Sequence, residues 1–182
     1  MPPLRPPEIG QCVYRFSCDM ETRVTREAGA RSPSRALVQG VKITTRLKIV
    51  LWTPNDGRPA VIEHEEAHRE ICEHYYGNAH AIASDLGHRM IGQSLALAST
   101  DSAAVQQSVK RFQQTFIAEY MERTMGRCSI AQTHFDQITD HSRKRLDVRA
   151  AITQAIAAET RSRRDADSRP LRAAPRRPGP NR

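Results

Sequence analysis

The sequence predicts an α+β fold in which a small, mostly antiparallel sheet packs on one long helix and on a second long helix. Three observations predict it. Residues 36–52 are rich in β-branched side chains and alternate polar with apolar from Val41 to Leu47, as a strand with one packed face does. From Ile71 to Leu97, apolar residues recur at spacings of three and four, as on a helix with one buried stripe. Val105, Val109, Phe112, Phe116 and Tyr120 repeat that spacing further along.

Cys12–Cys18 forms a first, short candidate strand, and Ala36–Val38 followed by Val41–Trp52 supplies the main one. Asn55-Asp56-Gly57 reads as a turn, and Pro59 suits the first turn of a helix that follows it. Glu63, Glu65 and Glu66 lie toward the positive N-terminal end of that helix. The stripe Ile71, Tyr75, Ala79, Ile82, Leu86, Met90, Leu97 keeps phase across Gly77-Asn78, which predicts one helix from Pro59 to about Ala98. Gly77, Gly87 and Gly92 each weaken a helix interior by about 1 kcal/mol and leave room for a bend. Thr100-Asp101-Ser102 caps a second helix, Ala103 to about Thr124, which Gly126 is expected to end. Tyr75 and Phe116 read as packing residues. Leu146–Glu159 suits a short Ala-rich terminal helix.

These elements predict a flexible N-terminus over residues 1–11, a single domain over 12–158 and a disordered Arg/Pro-rich tail over 159–182. From Thr160 onward, eight arginines face Asp165 and Asp167, so the tail carries +6 of the formal net charge of +8. The folded part is only mildly basic. With no aromatic residues in the tail to stack on bases, sequence-selective nucleic-acid binding is not expected.

The chemistry sits in His64-Glu65-Glu66-Ala67-His68. An H-E-x-x-H pentad on a helix puts two imidazoles one turn apart on one face, where both can grip a single Zn2+, with the glutamate beside them as general base. Two histidines and several carboxylates on a largely apolar face are costly to bury without charge compensation, and a bound cation supplies it. The expected reaction is hydrolysis of a peptide bond, with Glu65 catalytic and His64 and His68 metal ligands. The site is incomplete. Catalytic zinc takes a third protein ligand. His74 and His80 are rotated by about 120° around the helix and His88 points almost opposite, so none of them joins the pair. Glu119, Glu122, His134, Asp136 and His141 remain as candidates, and Tyr75, Tyr76, Tyr120 and His134 as oxyanion partners.

The pentad, together with Cys128, the distal Phe135-Asp136-Gln137-Ile138-Thr139-Asp140-His141 and the phrase Leu51-Trp52-Thr53-Pro54, resembles domain-of-unknown-function family 922. These are bacterial secreted or periplasmic zinc-dependent proteases, and the resemblance covers about residues 12–142. It implies a zincin-like fold, His141 as the third ligand, and Asp136 as a ligand or as a partner behind the ligands. Phe135 stands where the family has tyrosine, and Ser142 where it has glycine.

The resemblance also implies export. No apolar segment follows Met1–Pro7, however, and no transmembrane run occurs, so the residues taken literally read as cytoplasmic. In an oxidising compartment, Cys12 with Cys18, or Cys72 with Cys128, are disulfide candidates; in a reducing one all four are thiols. The expected partner is a peptide or protein substrate, and oligomeric state is left open. A noncatalytic metal-binding or helical scaffold protein, and a zinc amidase acting on cell-wall peptides, stand as alternatives.

Overall fold

β1 (Gln11–Glu27) and β2 (Arg35–Trp52) pair antiparallel along their whole length, and the short β3 (Ser94–Ala96) adds to β2, giving the order β1-β2-β3. The computed structural model describes residues 10–27, 35–53, 58–98, 101–144 and 146–167. The expected turn at Asn55-Asp56-Gly57 lies outside the described residues. β1 is far longer than the predicted Cys12–Cys18. Its polar second half, ending in Thr25-Arg26-Glu27, hides the alternation that identifies a strand.

One irregularity lets a single strand cover both predicted segments of β2. Arg23 pairs with Gly40 and Val24 with Val38, so Gln39 is an extra residue in a bulge. The bulge switches the buried parity. Ala36 and Val38 face inward before it, and Val41, Ile43, Leu47 and Ile49 pack inward after it.

The predicted long helix is two helices, α1 (Pro59–Gly77) and α2 (Ala79–Met90), separated at Asn78. Pro59 opens α1 as expected. Glu63, Glu65 and Glu66 begin beyond its first turn and so add little to its dipole. The chain leaves α2 through Gly92, at φ +83, a left-handed conformation that glycine adopts without strain. Ser94–Ala96 then pairs with Arg35–Leu37. Helical spacing carried on to Leu97 because a strand this short cannot break a period of three or four.

Asp101 caps α3 (Ser102–Met121), its carboxylate accepting the Ala104 N–H at 2.7 Å. Gly126 does not end this helix. The backbone stays right-handed through a π-helical turn, Glu122–Gly126, and runs straight into α4 (Arg127–Thr139). A π turn holds about one residue more than an α turn, which rotates everything after it by roughly 100°. α5 (Val148–Asp167) continues eight residues past the predicted end of the terminal helix at Glu159. Residues 168–182 lie outside the described residues.

Helices cover one face of the sheet. Phe16, with Tyr14, Leu47 and Ile49, packs against Ala67, Ile71, Cys72 and Tyr75 of α1, Cys128, Ala131 and Phe135 of α4, and Ala151 and Ala155 of α5. Cys18, Met20, Val41 and Ile43 meet α2 and α3 through Leu86, Met90, Phe116 and Tyr120. Tyr75 and Phe116 are packing residues, as expected. No helix among the described residues is long and apolar enough to cross a membrane. The architecture is α+β and zincin-like, with the H-E-x-x-H pentad in the middle of α1.

Candidate metal centre

α1 brings His64 and His68 one turn apart with their Nε2 atoms 3.1 Å from each other. α4 lies across them and adds Asp136, whose Oδ1 is 3.3 Å from His64 Nε2 and 3.1 Å from His68 Nε2. Among the described residues, this is the group of three donors close enough together to share one metal ion. Phe135, fully buried, packs against both imidazoles at ring-centroid distances of 5.0 and 5.1 Å and fixes their tilt. Phenylalanine at this position offers the histidines no hydroxyl.

The spacing tests whether a metal suits the site. Zinc bonds of 2.0–2.2 Å in a tetrahedral arrangement put neighbouring ligand atoms about 3.3 Å apart. The three separations here match one triangular face of such a tetrahedron, which leaves the fourth vertex for a water or substrate. The charges agree as well. A carboxylate oxygen and two imidazole nitrogens converge, and their lone pairs repel unless a cation lies between them. Without a metal, protons do that work. Burial pushes Asp136 upward, but hydrogen bonds from His64 and His68 outweigh it and hold the carboxyl well below the usual range. Burial pulls His68 down, yet Asp136 outweighs that with help from Gln132, and the ring binds its proton more tightly than a free histidine.

Glu65 is 6 % exposed and lies beneath the start of β1. Gly10 approaches so closely that a Cβ there would sit 2.8 Å from Glu65 Oε1, and only glycine leaves that room. Burial raises the Glu65 pKa, partly offset by the two nearby histidines and by a backbone hydrogen bond from Cys12. A carboxyl with raised proton affinity beside a metal-binding pair suits a general base.

Asp136 occupies the third position that the sequence reading gave to His141. His141 Nδ1 lies 3.7 Å from Asp136 Oδ1 with its side chain 71 % exposed, outside the cluster. The reason is geometric. Asp136 is still on α4 and faces α1, whereas the chain beyond Thr139 turns away through three consecutive left-handed residues, Asp140, His141 and Ser142 at φ 50, 50 and 65.

Several of the other candidates are engaged elsewhere. Glu119 pairs with Arg89 at 2.6 Å on the surface, and Glu122 folds back onto Gly126. His74, His80 and His88 are exposed on α1 and α2, as their spacing predicts. The Tyr75 hydroxyl donates to Glu159 and that of Tyr76 to the Thr45 carbonyl. Cys12 and Cys18, six residues apart on one strand, are separated by roughly 20 Å and cannot pair. The Cys72 and Cys128 sulfurs are 3.7 Å apart as buried thiols. One residue near the site escaped the sequence reading: Gln132, four before Asp136, whose position on the Cys128–Ala131–Phe135–Thr139 stripe is the signal that would have found it.

No family model, curated protein or solved structure matches this chain. The likeness to family 922 therefore rests on the motif residues alone, and the functional argument rests on the site.

Proposed function

We propose that this chain is a zinc-dependent peptidase that hydrolyses peptide bonds in a protein or peptide substrate. The observation that carries the proposal is the convergence of three donor atoms at tetrahedral ligand spacing beside a buried glutamate. His64, His68 and Asp136 would hold the ion. Zinc, when bound there, supplies Lewis-acid polarisation of water and of the scissile carbonyl.

The protein's own residues do the rest. Glu65 takes the proton from the attacking water and passes it to the departing amine. Phe135 and the close cover of Gly10 keep bulk water away from the imidazoles and the carboxylate, which strengthens each charge interaction among them. β1 supports an extended peptide as the class of substrate. It is an edge strand of the sheet, and its first residues lie over Glu65, so an extended peptide that paired with that edge would run alongside the site.

The test combines metal analysis of the purified protein with hydrolysis of an unfolded protein substrate by wild type and Glu65→Gln. One equivalent of zinc in both proteins is expected, with hydrolysis lost by at least about 100-fold in the variant. Equal rates in the two proteins would end the assignment of Glu65 as base.

A further inference from the structure

Gln132 lies on α4 one turn before Asp136 and is 7 % exposed. Its amide nitrogen donates to the main-chain carbonyl of His68 at 2.9 Å and to Cys72 Sγ at 3.1 Å, and its Oε1 meets His68 Nδ1 in a short hydrogen bond. These contacts leave one chemically consistent arrangement. A backbone carbonyl only accepts, so the face of the amide turned toward it must be the NH2. Oε1 is then the atom turned toward the imidazole, and because it too only accepts, Nδ1 must carry the hydrogen. A neutral ring with its hydrogen on Nδ1 has its lone pair on Nε2, the atom aimed at His64 and Asp136.

We infer that Gln132 is a positioning residue for the proposed metal centre. It clamps His68 in the Nδ1–H tautomer, with Nε2 free to bind a cation, and ties that ring to the α1 backbone through the His68 carbonyl. The clamp uses both ends of the amide, so ring orientation and tautomer are set together. Metal-binding histidines depend on such a partner at the opposite nitrogen, and its loss typically weakens metal binding 10–100-fold. Against His64 it is the Phe135 ring that packs, at a centroid distance of 5.0 Å. The two imidazoles are thus fixed by different means, and the hydrogen-bonded one is the more sensitive to a change on α4.

The inference rests on the peptidase reading for its purpose, and two measurements separate the two. The first needs no metal: two-dimensional 15N–1H spectra of the imidazole side chains in the metal-free full chain, at a pH where His68 is neutral. Wild type is expected to show neutral His68 with its hydrogen on Nδ1, facing Gln132, and Nε2 accepting from His64 Nε2–H. Gln132→Leu, and Gln132→Met as a second variant of similar volume, should shift the ring toward the Nε2–H form, and Gln132→Glu, which restores an acceptor, should return it. The second measurement is Co2+ binding followed by its visible spectrum. A 10–100-fold loss of affinity with an altered spectrum is expected for Gln132→Leu and Gln132→Met. A wild-type ring protonated on Nε2, or variants with unchanged tautomer and affinity, would overturn the role of Gln132. Failure of wild type to bind Co2+ would overturn the metal centre instead, and the tautomer spectra would then decide the Gln132 clamp alone.

Discussion

Replacing Asp136 with alanine and, separately, His141 with alanine distinguishes two descriptions of the same site. Asp136 Oδ1 lies 3.3 and 3.1 Å from the two imidazole nitrogens, at ligand spacing, and its removal takes away one of three protein donors. Zinc held by a complete protein ligand set is worth on the order of 10–16 kcal/mol, so one ligand of three carries about 3–5 kcal/mol. That corresponds to a loss of zinc affinity of roughly 150- to 4,000-fold. His141 reaches only the carboxylate, at 3.7 Å and largely in solvent. Its removal should change zinc affinity by no more than about threefold, the scale of a screened surface contact. Competition titration against a chromophoric chelator at neutral pH measures both. A larger loss for His141→Ala than for Asp136→Ala would refute the geometric argument and restore His141 as the third ligand.

Glu159 supports a second prediction. This carboxylate is 1 % exposed and is held by Arg127 through two bonds of 2.8 and 2.9 Å and by the Tyr75 hydroxyl at 3.1 Å, tying α5 to α4 and α1. Breaking such a pair costs about 3 kcal/mol, so Glu159→Ala should lower Tm by roughly 6–12 °C in a thermal melt, and an unchanged Tm would remove the clamp from the fold's support. Burial pushes the Glu159 pKa up but Arg127 outweighs it, and the net shift is downward. The stability it confers is therefore present above the ordinary glutamate pKa and lost as pH falls through the lowered value, so wild type and variant should converge in acid. Gly10→Ala should push on Glu65, at 2.8 Å, and lower kcat by roughly 10- to 100-fold while zinc content stays whole; full activity would show that the carboxylate has room to move. Ser142→Gly should relieve a left-handed residue at φ 65 and stabilise the fold by about 1 kcal/mol without altering zinc affinity, whereas destabilisation in the same melt would show that the serine side chain is needed there.

Local chemistry makes much of this protein legible in its sequence. The α+β class followed from the alternation of Val41–Leu47 and the helical spacing on either side of Tyr75, and Pro59 and Asp101 marked helix starts where the structure has them. His64, Glu65 and His68 needed only the rise and twist of one helical turn. Elements whose ends depend on partners were read less well. The polar half of β1 is a strand because β2 lies beside it, and Ser94–Ala96 leaves the helical period because Arg35–Leu37 offers a free edge. α5 runs on to Asp167, past Glu159, which Arg127 and Tyr75 hold against α4 and α1.

The sequence by itself thus determined which residues have metal and proton chemistry to offer, since a pentad on one helix needs no information from elsewhere in the chain. Only the tertiary structure decided how the site is completed. Asp136 and Gln132 lie 68 and 64 residues beyond His68, and what brings them onto it is the angular phase of α4, set by a π turn that leaves no clear trace in spacing. A rotation of roughly 100° at Glu122–Gly126 selects which side of α4 meets the histidines, and phase inherited through a long helix is a property of the fold as a whole.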